Sequence, residues 1–339
     1  MAGEFGLADL LDQPMRTLSG GETVKLALAK AAVDSAYAEK LIIASPFSWL
    51  SRENAHFFEM LFERYRQLDR PLQLLALEGE DSAKPVTEEE CPGSILEKII
   101  DFDLDFRDLR IPLGSSLNPI HSARTSATVA DFNTSLCSPC LIVGENGRGK
   151  SLIARILSGA ISFEGRAGLT RSEKSGPPRL LFQDVITQTL LRSFESLAAS
   201  TKYARGLEPR EICRRLLAEY RTALGDADTQ GHRDTVSAAD GFPSLLEVKA
   251  MLVAIRLCGQ PGAIILDEPD WGLTRAAAIA LVVAIIRVAH SDGIPVILIS
   301  HKPWWRPLAG SVIRVDRTPK IRADEGSTAF EIQLSCETP

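Results

Sequence analysis

The chain lacks a surplus of positive charge. Its 38 lysines and arginines face 44 aspartates and glutamates, a formal net charge of −6 with the five histidines neutral. That balance offers no global footprint for a phosphate backbone, so direct nucleic-acid binding is not expected. Long apolar runs are missing as well. A membrane-spanning helix needs about 20 apolar residues; the longest candidate, residues 276–288, is broken by Arg287 and reads as a buried helix. No secretory signal pattern is visible. The six cysteines (Cys91, Cys137, Cys140, Cys213, Cys258, Cys336) show no disulfide framework. Cys137 and Cys140 form a C-x-x-C, but no second pair or histidine cluster accompanies them, and their place before an apolar strand favours packing over zinc or redox chemistry. These absences leave a cytosolic α/β protein of 339 residues, long enough for more than one domain.

What is present begins at residues 144–151, which read Gly144-Glu145-Asn146-Gly147-Arg148-Gly149-Lys150-Ser151. This fits G-x-x-x-x-G-K-[ST], a loop whose glycines let backbone N–H groups close around phosphates. Lys150 reaches the β- and γ-phosphates in such a loop, and the Ser151 hydroxyl holds Mg²⁺. Residues 139–143, Pro-Cys-Leu-Ile-Val, read as a short buried strand before it. Residues 152–157, starting at Leu152, read as the first turns of a helix after it. The motif needs that strand–loop–helix context, because the helix N-terminus adds its own N–H groups and the positive end of its dipole.

Residues 263–269, Ala-Ile-Ile-Leu-Asp-Glu-Pro, form an apolar run ending in two carboxylates. Short, β-branched and bounded by Gly262 and Pro269, the run reads as a buried parallel strand. Asp267 then stands at the strand's carboxyl end, where α/β sheets present ligands, and is the expected Mg²⁺ partner. Glu268 can face the γ-phosphate and polarise a water.

On these residues the chain resembles the ABC-type ATPases, closely over residues 97–320. The resemblance implies ATP and Mg²⁺ as cofactors. It assigns Gln183, after Leu180-Leu181-Phe182, to the glutamine loop that contacts Mg²⁺ and water. It assigns His301, after Val296-Ile297-Leu298-Ile299-Ser300, to the switch histidine that reaches the γ-phosphate. Gln183, Glu268 and His301 are then the catalytic set, with Ser151, Gln183 and Asp267 at the metal. The implied fold is a mostly parallel core sheet with an antiparallel β part and a helical subdomain. Residues 187–241 read as the helical insert, amphipathic over 209–224 and a polar loop over 225–241.

The N-terminus carries a second, broken copy of the pattern. Leu18-Ser19-Gly20-Gly21-Glu22 matches the family's signature, which opens a helix and binds the γ-phosphate of a nucleotide held by the opposite domain. The physics is a helix N-terminus again: Ser19 as cap, glycines for close approach, N–H groups facing an anion. Residues 40–46 occupy the place of the Asp-Glu strand and residues 72–78 that of the histidine strand. Ala44 and Ser45 replace the two carboxylates, and Glu78 replaces the histidine. The second copy has the complementary defect. Its signature position, residues 243–247, reads Pro-Ser-Leu-Leu-Glu, with leucines where a phosphate needs room.

ABC domains pair head to tail, so both losses fall in one composite site and the other stays complete. The expected arrangement is a tandem, asymmetric ATPase. Residues 1–78 are the back half of a degenerate domain, 79–96 an acidic, turn-rich linker, 97–325 the active nucleotide-binding domain and 326–339 a tail. The first copy's own phosphate loop is missing, so the chain reads as a fragment or as a late start. Phe106, with Phe102 behind it, is the best candidate to stack on adenine. Trp304 and Trp305 read as packing or as a partner surface.

Three functions follow from the resemblance. One is the ATPase of a membrane transporter of the energy-coupling kind, cytoplasmic, at the membrane's inner face and working through transmembrane subunits. Another is a soluble ABC protein acting on nucleic acid or ribosomes; the third is a regulatory module.

Overall fold

The computed structural model describes residues 26–27, 29–30, 41–44, 72–75, 100–113, 125–145, 147–170, 176–183, 209–224, 244–321 and 328–337. By its contacts the chain divides into two compact units, residues 1–83 with 145–147 and the remainder.

In the smaller unit, β1 (Leu41–Ala44) and β2 (Leu72–Leu75) pair in parallel, Leu41 opposite Leu72 and Ala44 opposite Leu75. Both lie within the segments read from sequence as strands, residues 40–46 and 72–78. The signature at Ser19, Gly20, Gly21 and Glu22, the linker and Glu78 lie outside the described residues.

The larger unit is built on one ten-stranded sheet. Its parallel half holds β6 (Cys140–Val143), β8 (Arg179–Leu181), β9 (Ile264–Asp267), β10 (Val296–Ile299) and β11 (Ser311–Ile321), in the spatial order β11-β6-β10-β9-β8. β9 and β10 are buried at every position, so their sequences are continuous apolar runs rather than alternating ones. Register puts Leu181 opposite Leu266, and Asp267 opposite Ile299. The residues that follow β8, β9 and β10 therefore leave the sheet at one edge.

Both faces of the sheet are covered. Leu141, Leu266, Leu298 and Val312 face one layer, made of α2 (Pro209–Leu224), α3 (Leu245–Leu257) and α4 (Arg275–Ser291). Cys140, Ile142, Ile265, Ile297 and Ile299 face the other, where α1 (Lys150–Leu157) contributes Ile153, Ala154, Ile156 and Leu157. Trp304 and Trp305, on a 3-10 helix over Pro303–Leu308, are 3% and 0% exposed in the α2–α4 core, so they pack.

The antiparallel part is β3 (Ile100–Leu113), β4 (Thr125–Val129), β5 (Phe132–Ser138) and β7 (Glu164–Thr170), with β3 pairing all three others. One boundary moves. Residues 328–337, set apart from sequence as part of a tail, form β12 (Thr328–Glu337), antiparallel to β11 over ten pairs and parallel to β4. The strand joins the two parts of the sheet because Phe330 and Ile332 alternate with polar residues and bury on the α1 side. Among the described residues no helix is long and apolar enough to cross a membrane.

Candidate phosphate and metal site

Strand β6 delivers the chain to Gly144 at the carboxyl edge. From there to α1 the backbone takes dihedrals that side chains resist: φ is +155° at Gly144, +80° at Gly147 and +105° at Gly149. Space is as restrictive as conformation. A Cβ on Gly144 would stand 2.5 Å from the Val315 carbonyl oxygen, and one on Gly149 would stand 2.6 Å from Ile332 Cδ1. The loop is thus wedged against the β11–β12 hairpin, and glycine is required at both contacts. Gly149 caps α1 without a side chain. The first N–H groups of any helix lack intrahelical partners, which suits them to an anion. Glu145 and Gly147 are exposed, and Asn146 lies outside the described residues. Arg148 turns away, its guanidinium donating to the Arg317 carbonyl at 3.2 Å. Leu152 packs into the α1-side core.

Lys150 opens α1, yet only 6% of it is exposed. Its Nζ folds back and donates to the Gly144 carbonyl at 2.7 Å, which aims the ammonium across the mouth of the loop. The charge is felt by both Asp267 and Glu268.

Ser151 and Asp267 meet. Although they are 116 positions apart in the chain, α1 and the end of β9 bring them together, and the Ser151 hydroxyl pulls the Asp267 pKa down. Asp267 is 6% exposed, and its Oδ1 has no partner. Burial first, and then the charge of Glu268, push its pKa up to about 6 from 3.8, against the lowering pull of Ser151 and Lys150. A buried carboxylate with a partnerless oxygen beside a hydroxyl is the oxygen donor set a hard divalent cation takes. The residues fit Mg²⁺: Ser151 and Asp267 would hold it. Gln183 is half-buried, two residues beyond the end of β8 and at the same edge as Asp267.

Glu268 sits at φ +46°, a left-handed conformation that a non-glycine residue adopts at a cost of about 1–3 kcal/mol. The strain has visible supports. The Glu268 N–H donates to Ile299 at 2.9 Å, and its carbonyl accepts from Trp271 N–H at 3.2 Å. Its carboxylate is held at both oxygens: Ser300 Oγ donates to Oε2 and His301 Nδ1 lies 2.9 Å from Oε1. A carboxylate only accepts, so the shared proton is on Nδ1. Burial presses the Glu268 pKa upward, but the hydrogen bond and charge of His301, with Lys150, outweigh it and hold the carboxyl below its ordinary value. Glu268 is therefore ionised at neutral pH, as a base must be.

Two supports were not read from sequence. Ser300 is one; its position just before His301 was the available signal. Lys249 is the other. On α3 and 1% exposed, it donates to the carbonyls of Pro269 and Trp271 at 2.7 and 2.6 Å, gripping the loop that follows Glu268. A lone lysine in the apolar run Leu245–Leu257 was its signal. Lys302 adds a third tie, 2.9 Å from Asp270 on the same loop.

At the position that the resemblance assigns to the second copy's signature, Ser244 to Glu247 form the start of α3. Ser244 caps α3 in a reciprocal box, its hydroxyl accepting from Glu247 N–H at 3.3 Å while its own N–H donates to Glu247 Oε2 at 2.8 Å. Leu245 packs where a Cβ on Gly272 would fall. The adenine candidates need correction: Phe106 and Phe102 are 0% and 2% exposed in the α1-side core, and a ring sealed on both faces cannot stack on a base. The C-x-x-C thiols are free; burial drives the Cys140 thiol well above its ordinary pKa.

No family model matches the chain. Two curated relatives are both named zinc import ATP-binding protein ZnuC. The protein of Paracoccus denitrificans (strain Pd 1222) is 28% identical over 163 residues, covering 47% of this chain and 57% of its own length. That of Roseobacter denitrificans (strain ATCC 33942 / OCh 114) is 26% identical over 187 residues, covering 54% and 66%. The matches thus span less than two thirds of either relative. Among solved structures, a chain in a model of ribosome-bound archaeal Pelota and ABCE1 aligns over 99% of this chain and 59% of its own, with a TM-score of 0.54 and 14% identity, a likeness of fold alone. In sequence the chain is thus similar to import ATP-binding proteins over about half its length, and its fold is α/β.

Proposed function

We propose that the chain binds ATP with Mg²⁺ and hydrolyses it, one catalytic centre per chain. The observation that carries this is the buried Asp267 carboxylate with a partnerless oxygen beside the Ser151 hydroxyl, framed by Lys150 and by an ionised Glu268. The roles divide by chemistry. Lys150 and the glycine loop bind the phosphates, and Ser151, Asp267 and Gln183 would hold the cation, whose charge would offset that of the phosphate oxygens. Glu268 orients and deprotonates the attacking water, and His301 fixes the carboxylate's orientation and stands within reach of the terminal phosphate. Leu18–Glu22 keeps the family's signature role, completing a nucleotide site in trans. Residues 79–96 link the two copies.

The larger role we assign is to drive a membrane transporter through transmembrane subunits, from the cytoplasmic face. It rests on the names of the two sequence relatives, both import ATP-binding proteins. A ribosome-directed ATPase is the second reading, supported by the fold likeness across almost the whole chain. Steady-state hydrolysis of ATP with and without Mg²⁺ tests the activity. Sedimentation of a Glu268→Gln chain trapped with ATP tests the role: recovery with membranes supports transport, and recovery with ribosomes supports the alternative.

A further inference from the structure

Lys249 is a lysine where the core asks for a hydrophobe. It stands on α3 among Leu246, Ala250, Met251, Leu252 and Val253, all buried, and is itself 1% exposed. Burial pushes its pKa from 10.5 down to about 8, with the charge of Asp270 opposing, so the fold carries an ammonium that an apolar side chain would spare it. What the ammonium does is local. Its Nζ donates to the Pro269 carbonyl at 2.7 Å and to the Trp271 carbonyl at 2.6 Å, so two carbonyls two residues apart converge on one atom. Trp271 passes the grip on, because its N–H donates to the Glu268 carbonyl at 3.2 Å. Lys302, 2.9 Å from Asp270, holds the residue in between. Leu245 lies one turn before Lys249 on the same face of α3, and its Cδ2 is 2.4 Å from where a Cβ on Gly272 would stand, so the helix presses on the loop as well.

We propose that Lys249 is a positioning residue for the attack of water: by fixing the turn after β9 from α3, it sets where the Glu268 carboxylate stands. The inference rests on the reading of Glu268 as the base and adds the residue that imposes its backbone. Ser300 and His301 hold the carboxylate end of Glu268, and Lys249 holds the backbone end. Glu268 sits at φ +46°. A left-handed residue relaxes toward the commoner regions once its restraints go, and its side chain swings with it. Buried on α3 with its ammonium engaged by two carbonyls, Lys249 acts through Glu268 and not on a phosphate.

The test compares wild type, Lys249→Met, Glu268→Gln and the double variant Lys249→Met/Glu268→Gln, all as the full chain. Single-turnover hydrolysis of radiolabelled ATP reads even slow rates, and calorimetric titration reads ATP affinity. Lys249→Met lowers the hydrolysis rate by about tenfold to a hundredfold, the usual cost of a displaced catalytic group, and leaves ATP affinity within about twofold. In the Glu268→Gln background the same change costs less than about twofold, because the group it positions is already gone. A rate within about twofold of wild type in Lys249→Met overturns the proposal. A loss of equal size in the Glu268→Gln background also overturns it, since the effect then does not pass through Glu268, and so does a parallel loss of ATP affinity. Where Lys249→Met does not fold, Lys249→Gln, which keeps an amide donor, takes its place in the same comparison. Failure of both to fold makes Lys249 a structural residue and overturns the positioning role. A wild-type chain that hydrolyses no ATP, or a Glu268→Gln chain with wild-type turnover, overturns the reading of Glu268 and the proposal with it; a flat result at Lys249 alone leaves that reading standing.

Discussion

Lys249→Met separates what holds the loop after Glu268 from what holds the fold. Methionine keeps the stem and fills the same path through the core, so the packing loss is small. The hydrogen-bond loss is not: the Pro269 and Trp271 carbonyls lose their donor, about 1–3 kcal/mol each if left unsatisfied. Against this stands a penalty that the wild type carries. Burial pushes the Lys249 pKa from 10.5 down to about 8, with the charge of Asp270 opposing, and at pH 7 that drop costs about 3 kcal/mol of folding stability. The two effects largely offset, so urea unfolding at pH 7, followed by tryptophan fluorescence, shows a loss of no more than about 3 kcal/mol. The sign of the pH dependence follows from the direction of the shift. The folded pKa lies below the unfolded one, so between about pH 8 and 10.5 the unfolded chain binds the proton and the folded chain does not. Wild-type stability therefore gains on the variant across that window, by about 3 kcal/mol. Other groups titrate there too, but they cancel in the difference between two proteins that share them. Parallel wild-type and variant profiles from pH 7 to 10.5 would refute the claim that Lys249 is held below its ordinary pKa by burial.

Three further outcomes follow from the site. Glu268→Gln keeps nucleotide affinity and lowers turnover by about a hundredfold or more, as removal of a base does; near-normal turnover sinks the base assignment. Gly149→Ala adds a methyl at φ +105° against Ile332, and calorimetry shows nucleotide binding lost while far-UV circular dichroism stays near wild type. Ser19→Arg abolishes turnover, whereas Leu245→Ala leaves it within about threefold, because the position Leu245 occupies is already closed by the Ser244–Glu247 cap; equal losses in two folded variants contradict the single-centre reading.

The motifs were legible because their chemistry is local. A phosphate loop needs its glycines, lysine and serine consecutively, and a fully buried parallel strand advertises itself as an unbroken apolar run ending at its polar residue. β6, β9 and β10 all read that way. β12 was readable too, since Phe330, Ile332 and Leu334 alternate with polar residues. It was set aside because six unpatterned positions, residues 322–327, separate it from β11. Phe106 misled for the opposite reason. On the pattern of β3 alone, one face is open to solvent; only its pairing with both β5 and β7, over a layer that includes α1, closes the ring away.

Lys249, Ser300 and Lys302 share a property that explains why they escaped. None is part of a motif, and each acts on a group supplied by a distant segment. Lys249 reaches from α3 to the turn after β9; Lys302 reaches that turn from the end of β10. Their common target explains the arrangement. Glu268 must hold a left-handed backbone that its own residue type disfavours, so the conformation has to be imposed from outside. Ties from α3 and β10 converge on the five residues after Asp267, and one more, through Ser300 and His301, fixes the carboxylate. The consecutive residues Asp267 and Glu268 thus state which chemistry the strand end presents, while the non-local ties decide whether the carboxylate is held where that chemistry can occur. A substitution at Lys249 or Lys302 can therefore disable turnover in a chain whose every motif residue is intact.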